Sequence, residues 1–175
     1  GFTIVELDGS TEVDESGTTD TFTVVLDAQP SDNVVIAMSS SDTGEATISG
    51  TISFTPANWD TPQTVTVTGV DENTIDGDQT STVTITIVDS ISDSDFSNVA
   101  DQTVSVVTTD DDVVGFTIEE TDGSTEVDES GTTDTFTVVL DAQPTSDVVL
   151  TITSDDTGEA TVNSPLTFTP ANWDT

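Results

Sequence analysis

One stretch of this sequence occurs twice at a fixed spacing, and that spacing sets the size of the folding unit. Residues 115–175 repeat residues 1–61 at an offset of 114 without insertion or deletion, and 45 of the 61 aligned positions are identical. The run GSTEVDESGTTDTFTVVLDAQP stands at 9–30 and again at 123–144. A period of this length is typical of a whole domain rather than of one solenoid turn. The sequence therefore predicts a complete unit at 1–114 and the first half of a second copy at 115–175.

Apolar residues alternate with Thr and Ser along the repeat, which is the pattern of β-strands with one buried face. The clearest segments are 21–26, 63–68 and 82–88, and turn sequences rich in Gly, Pro, Asn and Asp separate them. Seven such segments, A to G, predict an all-β fold, a seven-stranded antiparallel immunoglobulin-like sandwich repeated in tandem. Phe22, Phe54, Ile85 and Val104 are the expected core residues, with Trp59 covering one end of that core.

The second copy contains only strands A to D, so we expect its apolar faces and one strand edge to need a cover. Two sources are open. Either the polypeptide continues through strands E to G, or another subunit adds the strands.

The charge of the chain excludes several classes of partner. It has 35 Asp and Glu and no Lys, Arg or His, which gives a formal net charge of −35. Nucleic-acid binding depends on Lys and Arg, so nucleic acid is excluded, as is electrostatic attraction to anionic lipid. No apolar run is long enough for direct membrane insertion. Repulsion among the carboxylates destabilises the compact state, so we expect external cations to relieve it.

The residue types present also restrict catalysis. Without His, Cys, Lys, Arg or Tyr the usual pairs of nucleophile and base cannot be built. A hydrolase that uses two carboxylates stays formally open. We expect the protein not to be an enzyme.

Strand direction predicts where the acidic residues meet. Successive antiparallel strands place the A–B, C–D and E–F loops and the end of strand G at one pole of the sandwich. These segments carry Asp14 and Glu15, then Asp42 and Glu45, then Asp71, Glu72, Asp76 and Asp78, then Asp110, Asp111 and Asp112. Several converging carboxylates offer the hard oxygen ligands that Ca²⁺ prefers. Cys and His, the usual zinc ligands, are absent.

Three motifs at this pole resemble a known family. VDESG at 13–17, VDENTIDGDQ at 70–79 and TTDDD at 108–112 resemble the Calx-beta domain and the Calx-beta-like repeats of large bacterial surface adhesins. The resemblance implies a seven-stranded sandwich that binds calcium where one domain meets the next. Carried over by position, the implied metal ligands are Glu15, Asp71, Glu72, Asp76, Asp110, Asp111 and Asp112.

These features together predict a non-catalytic extracellular array, secreted or at a cell surface. Calcium at each junction would stiffen a stalk or fibre of an adhesin or matrix protein. Its partners would be neighbouring repeats of the chain or identical subunits in a fibre, with cell-surface or matrix glycans as further candidates. One alternative is a glycan- or ice-binding module that uses Thr-rich strands such as 64–68 and 82–86. Another is a filament subunit that assembles by strand complementation.

Overall fold

The computed structural model describes every residue from Gly1 to Thr175 and is built almost entirely of β-strands. The predicted fold class, an all-β immunoglobulin-like sandwich, is confirmed. Two compact units are distinguished, Gly1–Glu72 with Asp76–Asp111, and Asn73–Ile75 with Asp112–Thr175. No helix has the length and apolar character needed to cross a membrane. The division of the chain into a complete domain at 1–114 and the first half of a second domain at 115–175 stays a prediction.

The first unit contains nine strands in two sheets. They are β1 (Phe2–Glu6), β2 (Thr11–Asp14), β3 (Thr19–Leu26), β4 (Val34–Ser40), β5 (Ala46–Ile48), β6 (Ile52–Phe54), β7 (Gln63–Gly69), β8 (Gln79–Ile87) and β9 (Gln102–Thr109). One sheet has the order β1-β3-β7-β5 and the other the order β2-β9-β8-β4-β6. All pairings are antiparallel except that between β2 and β9, which is parallel.

The strand count exceeds the seven expected because predicted strand A, which begins at Phe2, is divided between the two sheets, and because the predicted C–D connection contains a further strand, β5. Predicted strand A is divided into β1 and β2, and Gly9, at φ +86, lies in the turn between them. β5 precedes predicted strand D (51–54) and pairs with β7, whereas β6, which lies within predicted strand D, pairs with β4 in the opposite sheet. β5 spans only Ala46–Ile48, which is too short to show a period of two in the sequence.

The core lies between the two sheets and follows the alternation read from the sequence. Phe22, Phe54 and Ile85 are fully buried and Val104 is 4% exposed, as predicted. Trp59 packs against this core, and its carbonyl accepts a 3.2 Å hydrogen bond from the Leu26 amide. At about 25 cal/mol per Å² of buried apolar surface, this continuous core is the main source of stability for the first unit.

The second unit contains four short strands in two separate pairs. β10 (Phe116–Glu120) pairs with β11 (Phe136–Leu140), and β12 (Val148–Leu150) pairs with β13 (Leu166–Phe168). These pairs reproduce the registers of β1 with β3 and of β4 with β6 in the first unit. A close repeat of sequence therefore forms the same local pairings.

Gly69, the last residue of β7, permits a close approach between the two sheets of the first unit. A Cβ atom at this position would lie 2.0 Å from the carbonyl oxygen of Asp14. The Gly69 amide also donates a 3.0 Å hydrogen bond to the Thr18 carbonyl. Because Asp14 ends β2, any side chain at Gly69 would push apart the β2–β3 corner and the end of β7.

We expect Gly69→Ala to lower the free energy of unfolding by about 1–3 kcal/mol, the usual cost of overpacking. Gly50→Ala is the matched control, because nothing lies within 4 Å of a Cβ at Gly50. That control should leave stability within about 0.5 kcal/mol of the parent. Urea unfolding at fixed salt measures both. Equal stability of the two variants would show that the approach at Gly69 is not tight.

Candidate metal centre

Three carboxylates from two segments of the first unit meet at one pole of the sandwich. Glu15, Glu72 and Asp76 each offer an oxygen, and these oxygens all lie within 4.8 Å of one another. Glu15 follows β2, while Glu72 and Asp76 belong to the connection between β7 and β8. Like charges this close repel unless a proton or a cation lies among them.

A tight turn fixes the position of Glu15. The Glu15 amide donates a 3.2 Å hydrogen bond to the Thr109 carbonyl at the end of β9. Gly17, at φ +87, donates a 3.2 Å bond back to the Asp14 carbonyl, and the Asp14 amide donates a 2.7 Å bond to Thr18 Oγ1. The sequence DESGT thus closes a turn that directs the Glu15 side chain into the fold.

The Glu15 carboxylate is the most unusual polar group of the first unit. The residue is 0% exposed, and neither Oε1 nor Oε2 has a hydrogen-bond partner. Burial, followed by the charges of Asp110, Glu45, Glu72 and Asp76, raises its pKa to about 7. A buried charge without a partner is strongly unfavourable. The side chain must therefore hold a proton or contact a cation.

Glu45 belongs to the same charged environment. Burial raises its pKa first, and the charges of Asp76, Asp42, Glu72 and Asp110 raise it further. Glu45 Oε2 is buried and has no hydrogen-bond partner, while its carbonyl accepts a 2.9 Å bond from the Val70 amide. Strand direction placed Glu45 at this pole, but the resemblance did not include it among the ligands. Glu45 immediately precedes β5, and the sequence pattern does not reveal this short strand.

Asp110 ties the end of β9 to the β7–β8 connection. Asp110 Oδ2 accepts a 2.7 Å hydrogen bond from the Gly77 amide, and the Asp110 amide donates a 3.3 Å bond to Asp78 Oδ1. Its negative charge is also the largest Coulombic cause of the raised pKa of Glu15. A carboxylate oxygen of Asp110 lies within 4.8 Å of one of Glu15, which is close enough for the two to share a cation.

The other three predicted ligands are Asp71, Asp111 and Asp112. Asp71 and Asp111 are exposed and do not join the group around Glu15. Asp112 belongs to the second unit. The structure thus brings Glu15, Glu72, Asp76 and Asp110 to one pole, and the binding of metal by any of the seven predicted residues stays a prediction.

The donor set of this pole fits a hard divalent cation. The grouped side chains of Glu15, Glu72 and Asp76 are all carboxylates, and Ca²⁺ is bound by six to eight oxygens in flexible geometry. The two unpartnered oxygens of Glu15 are the feature that such a cation would satisfy. Mg²⁺ demands stricter octahedral geometry and keeps several waters, so it suits a crowded carboxylate group less well.

The opposite pole contains a buried carboxylate of a different kind. Asp93 is 5% exposed and accepts hydrogen bonds from the amides of Ser31 at 2.6 Å, Asp32 at 2.9 Å and Asp95 at 3.0 Å, and from Ser31 Oγ at 2.8 Å. These bonds, led by that from the Asp95 amide, lower its pKa to about 2. Asp93 is saturated by protein donors, so it joins the β3–β4 loop to the segment after β8.

Comparisons of sequence and structure give the following. No protein-family model and no curated protein matches the chain. Among solved structures, it is similar to CBD12 from CALX1.2, with 13% identity, a TM-score of 0.44 and coverage of 79% of this chain and 69% of that one. It is similar to the surface layer protein SbsC, domains 1–6, with 20% identity, a TM-score of 0.42 and coverage of 86% and 18%. It is also similar to SSP-19, an MSP-domain protein like family member of Caenorhabditis elegans, with 17% identity and a TM-score of 0.38. That match covers 58% of this chain and 92% of SSP-19. These likenesses concern the fold alone.

The raised pKa of Glu15 predicts a pH dependence for the metal-free chain. Because the folded state holds this proton more tightly than the unfolded state, the free energy of unfolding should fall as the pH rises from about 4.5 to about 7. We expect a loss of about 2–3 kcal/mol. Denaturant unfolding with a chelator and 0.5 M NaCl, at a series of pH values, measures it.

Glu15→Gln should make that pH profile shallower, because the glutamine side chain does not titrate. Glu129→Gln is the matched control, since Glu129 stands in the same VDESG sequence but is exposed. The control should keep the parent profile. A parent profile that is flat between pH 4.5 and 7 would contradict the described environment of Glu15.

The lowered pKa of Asp93 predicts the opposite slope in acid. The stability contributed by its carboxylate is present above about pH 4 and is lost as the pH falls towards 2. Asp93→Asn should lower the unfolding temperature at pH 7 and reduce its decline between pH 4 and 2. Asp95→Asn, at an exposed neighbour, is the control. Thermal scans that show no difference between the two variants would exclude the role of Asp93 as a link between loops.

Proposed function

We propose that this chain is a non-catalytic calcium-binding structural repeat of an extracellular protein, a stalk or fibre of a surface adhesin or matrix protein. One observation carries the proposal. The Glu15 carboxylate is fully buried, has no hydrogen-bond partner and lies within 4.8 Å of two further carboxylates. An exposed acidic patch would need neither a proton nor a cation, whereas this buried group needs one of them.

Two species could satisfy Glu15, and their competition favours a metal at neutral pH. A proton neutralises one carboxylate, but Glu72, Asp76 and Asp110 stay close to it, and the chain has no Lys, Arg or His to offset them. A divalent cation neutralises two charges and attracts the rest. Since ligands must be deprotonated, acid should weaken its binding, by about tenfold at one pH unit below the pKa of Glu15.

The proposed affinity and its effect follow from the class of site. Extracellular calcium modules bind with dissociation constants of about 10⁻⁴–10⁻³ M. Calcium at 100 times its dissociation constant would raise the free energy of unfolding by about 2.7 kcal/mol. That is a large share of the ~5–15 kcal/mol of an ordinary domain. Such a repeat would be stable outside cells and weaker wherever calcium is scarce.

The position of the site along the chain supports a structural role. Asp110 lies five residues before Gly115, where the second copy of the repeat begins. A cation bound by Asp110 and Glu15 would hold the start of this connection against the β2–β3 turn of the first unit. In a tandem array the same joint would recur every 114 residues, with neighbouring repeats or identical subunits as partners. The absence of His, Cys, Lys and Arg accords with a non-catalytic role.

A paired variant experiment tests the proposal. Calcium titration by calorimetry in 0.15 M NaCl at pH 7.5 should show saturable binding to the parent chain. Glu15→Gln should weaken it by at least about tenfold, the loss of one charged ligand. Glu129→Gln should leave it within about threefold, because the identical local sequence is exposed there. Equal effects of the two variants, or no binding by the parent, would refute the site.

Small-angle scattering tests the stiffening separately. The maximum dimension and its spread should change between millimolar calcium and excess chelator for the parent chain but not for Glu15→Gln. Magnesium at the same concentration and ionic strength is the control for simple charge screening. Calcium binding without any change in scattering would retain the metal site and exclude its role at the junction.

A second candidate function uses the outer face of the four-stranded sheet. The register places Thr19, Thr21 and Thr23 opposite Thr68, Thr66 and Thr64, which makes an ordered threonine array. Such a face offers methyl and hydroxyl groups to glycans or to ordered water. Glycan-array binding or inhibition of ice recrystallisation, lost in Thr21→Glu and kept in Thr103→Glu, which changes an exposed threonine of the other sheet, would favour it. Absence of both activities would exclude it.

A further inference from the structure

The second unit exposes apolar residues around a groove. The groove has a volume of about 490 Å³ and is lined by side chains that include Phe116, Leu140, Ala142, Val148 and Leu150. Phe116 is 52% exposed and Ile118 54%. An apolar surface of this kind marks an interaction site.

The first unit shows that this surface is the inside of a sandwich. Phe2 and Val13, which correspond to Phe116 and Val127 by the offset of 114, are each 3% exposed. In the second unit Phe116 is 52% and Val127 is 47% exposed. The sequence around both pairs is nearly identical, so a difference in neighbours rather than in residues accounts for the exposure.

The neighbours in question are β7, β8 and β9. In the first unit, β7 pairs with 19–24, β8 pairs with 36–40 and β9 pairs with 11–14. The counterparts of those residues lose strand structure where the partner is missing. Residues 125–128, 133–135 and 151–154 are not in strands, although 11–14, 19–21 and 37–40 are. The strands of the second unit are therefore confined to its two self-contained pairs.

We propose that the second unit, through its residues Asp112–Thr175, is an acceptor for a polypeptide segment with the sequence of residues 62–112. The observations define this occupant by its pattern. Val65 and Val67 on β7, Val83 and Ile85 on β8 and Val106 on β9 are the fully buried residues that cover the equivalent face of the first unit. The segment adds strands to the free edge of β11 by backbone hydrogen bonds and fills the groove with its alternate side chains.

Strand addition would also build a second copy of the acidic pole. Glu129 and Glu159 are the counterparts of Glu15 and Glu45 by the same offset, and both are exposed in the second unit. The incoming segment carries Glu72, Asp76 and Asp110, the other members of that pole. This calcium-dependent part rests on the proposed function, whereas the docking of the segment does not.

Mixing the 175-residue chain with a polypeptide of residues 62–112 tests the inference. In 0.5 M NaCl, which screens the repulsion between two acidic chains, we expect a saturable complex of one chain and one segment. Amide hydrogen exchange at 133–135 and 151–154 should slow by at least about tenfold as these residues enter strands. Light scattering on a sizing column measures the stoichiometry.

Variants of the segment distinguish docking as a strand in register from nonspecific apolar contact. Val65→Thr with Val67→Thr places hydroxyl groups on the inward face and should weaken binding by at least about tenfold. Thr64→Val with Thr66→Val changes the outward face of the same strand by the reverse substitutions and should leave binding within about threefold. Equal binding of both variants, or no complex at all, would overturn the proposal.

Two further measurements complete the test. Dimers of the chain alone, with 133–135 already protected, would show that a second copy rather than the segment covers the face, and would also overturn the proposal. Repeating the titration of the chain with the segment, once with chelator and once with calcium, distinguishes strand addition from calcium binding. Equal affinity for the segment with chelator and with calcium would support strand addition and would count against a calcium site in the completed unit.

Discussion

A single buried carboxylate constrains this fold more than any other polar group. Glu15 is surrounded by like charges, and its oxygens have no donor in the protein. Most acidic residues of a highly charged chain lie in solvent, where repulsion is screened. Glu15 instead sits at the point where β2, the end of β9 and the β7–β8 connection meet. The closure of that pole therefore depends on a proton or a cation that the side chains do not supply.

Much of the fold and part of the site could be predicted from the sequence. The alternation of apolar and polar residues identified the buried positions, because successive side chains of a strand point to opposite faces of the sheet. It did not reveal the division of strand A at Gly9 or the three-residue strand β5, since both depend on which sheet the chain joins. Strand direction placed the acids at one pole. It did not separate Glu72 from Asp71, because neighbouring residues at a strand end point to opposite sides and sequence alone does not say which side is inward.

The repeat offers a comparison that few chains provide. VDESG at 13–17 begins within β2, which pairs with β9, and buries its glutamate, whereas VDESG at 127–131 is exposed and forms no strand. The local turn is the same in both, with Gly17 at φ +87 and Gly131 at φ +88. Short-range chemistry thus fixes the turn, while long-range pairing decides whether its carboxylate is buried. A motif of this length specifies a conformation but does not by itself specify a site.

The parallel pairing of β2 with β9 has a mechanical consequence. β2 lies near the beginning of the first unit and β9 ends it, with Thr11 opposite Val106 and Asp14 opposite Thr109. Tension applied between the ends of the unit pulls these two strands in opposite directions along their length. The hydrogen bonds between them then carry the load together in shear, rather than opening one after another as in a hairpin that is unzipped. The amide of Glu15, bonded to the carbonyl of Thr109, extends this ladder by one rung, so the acidic pole stands at the end of the element that resists stretching.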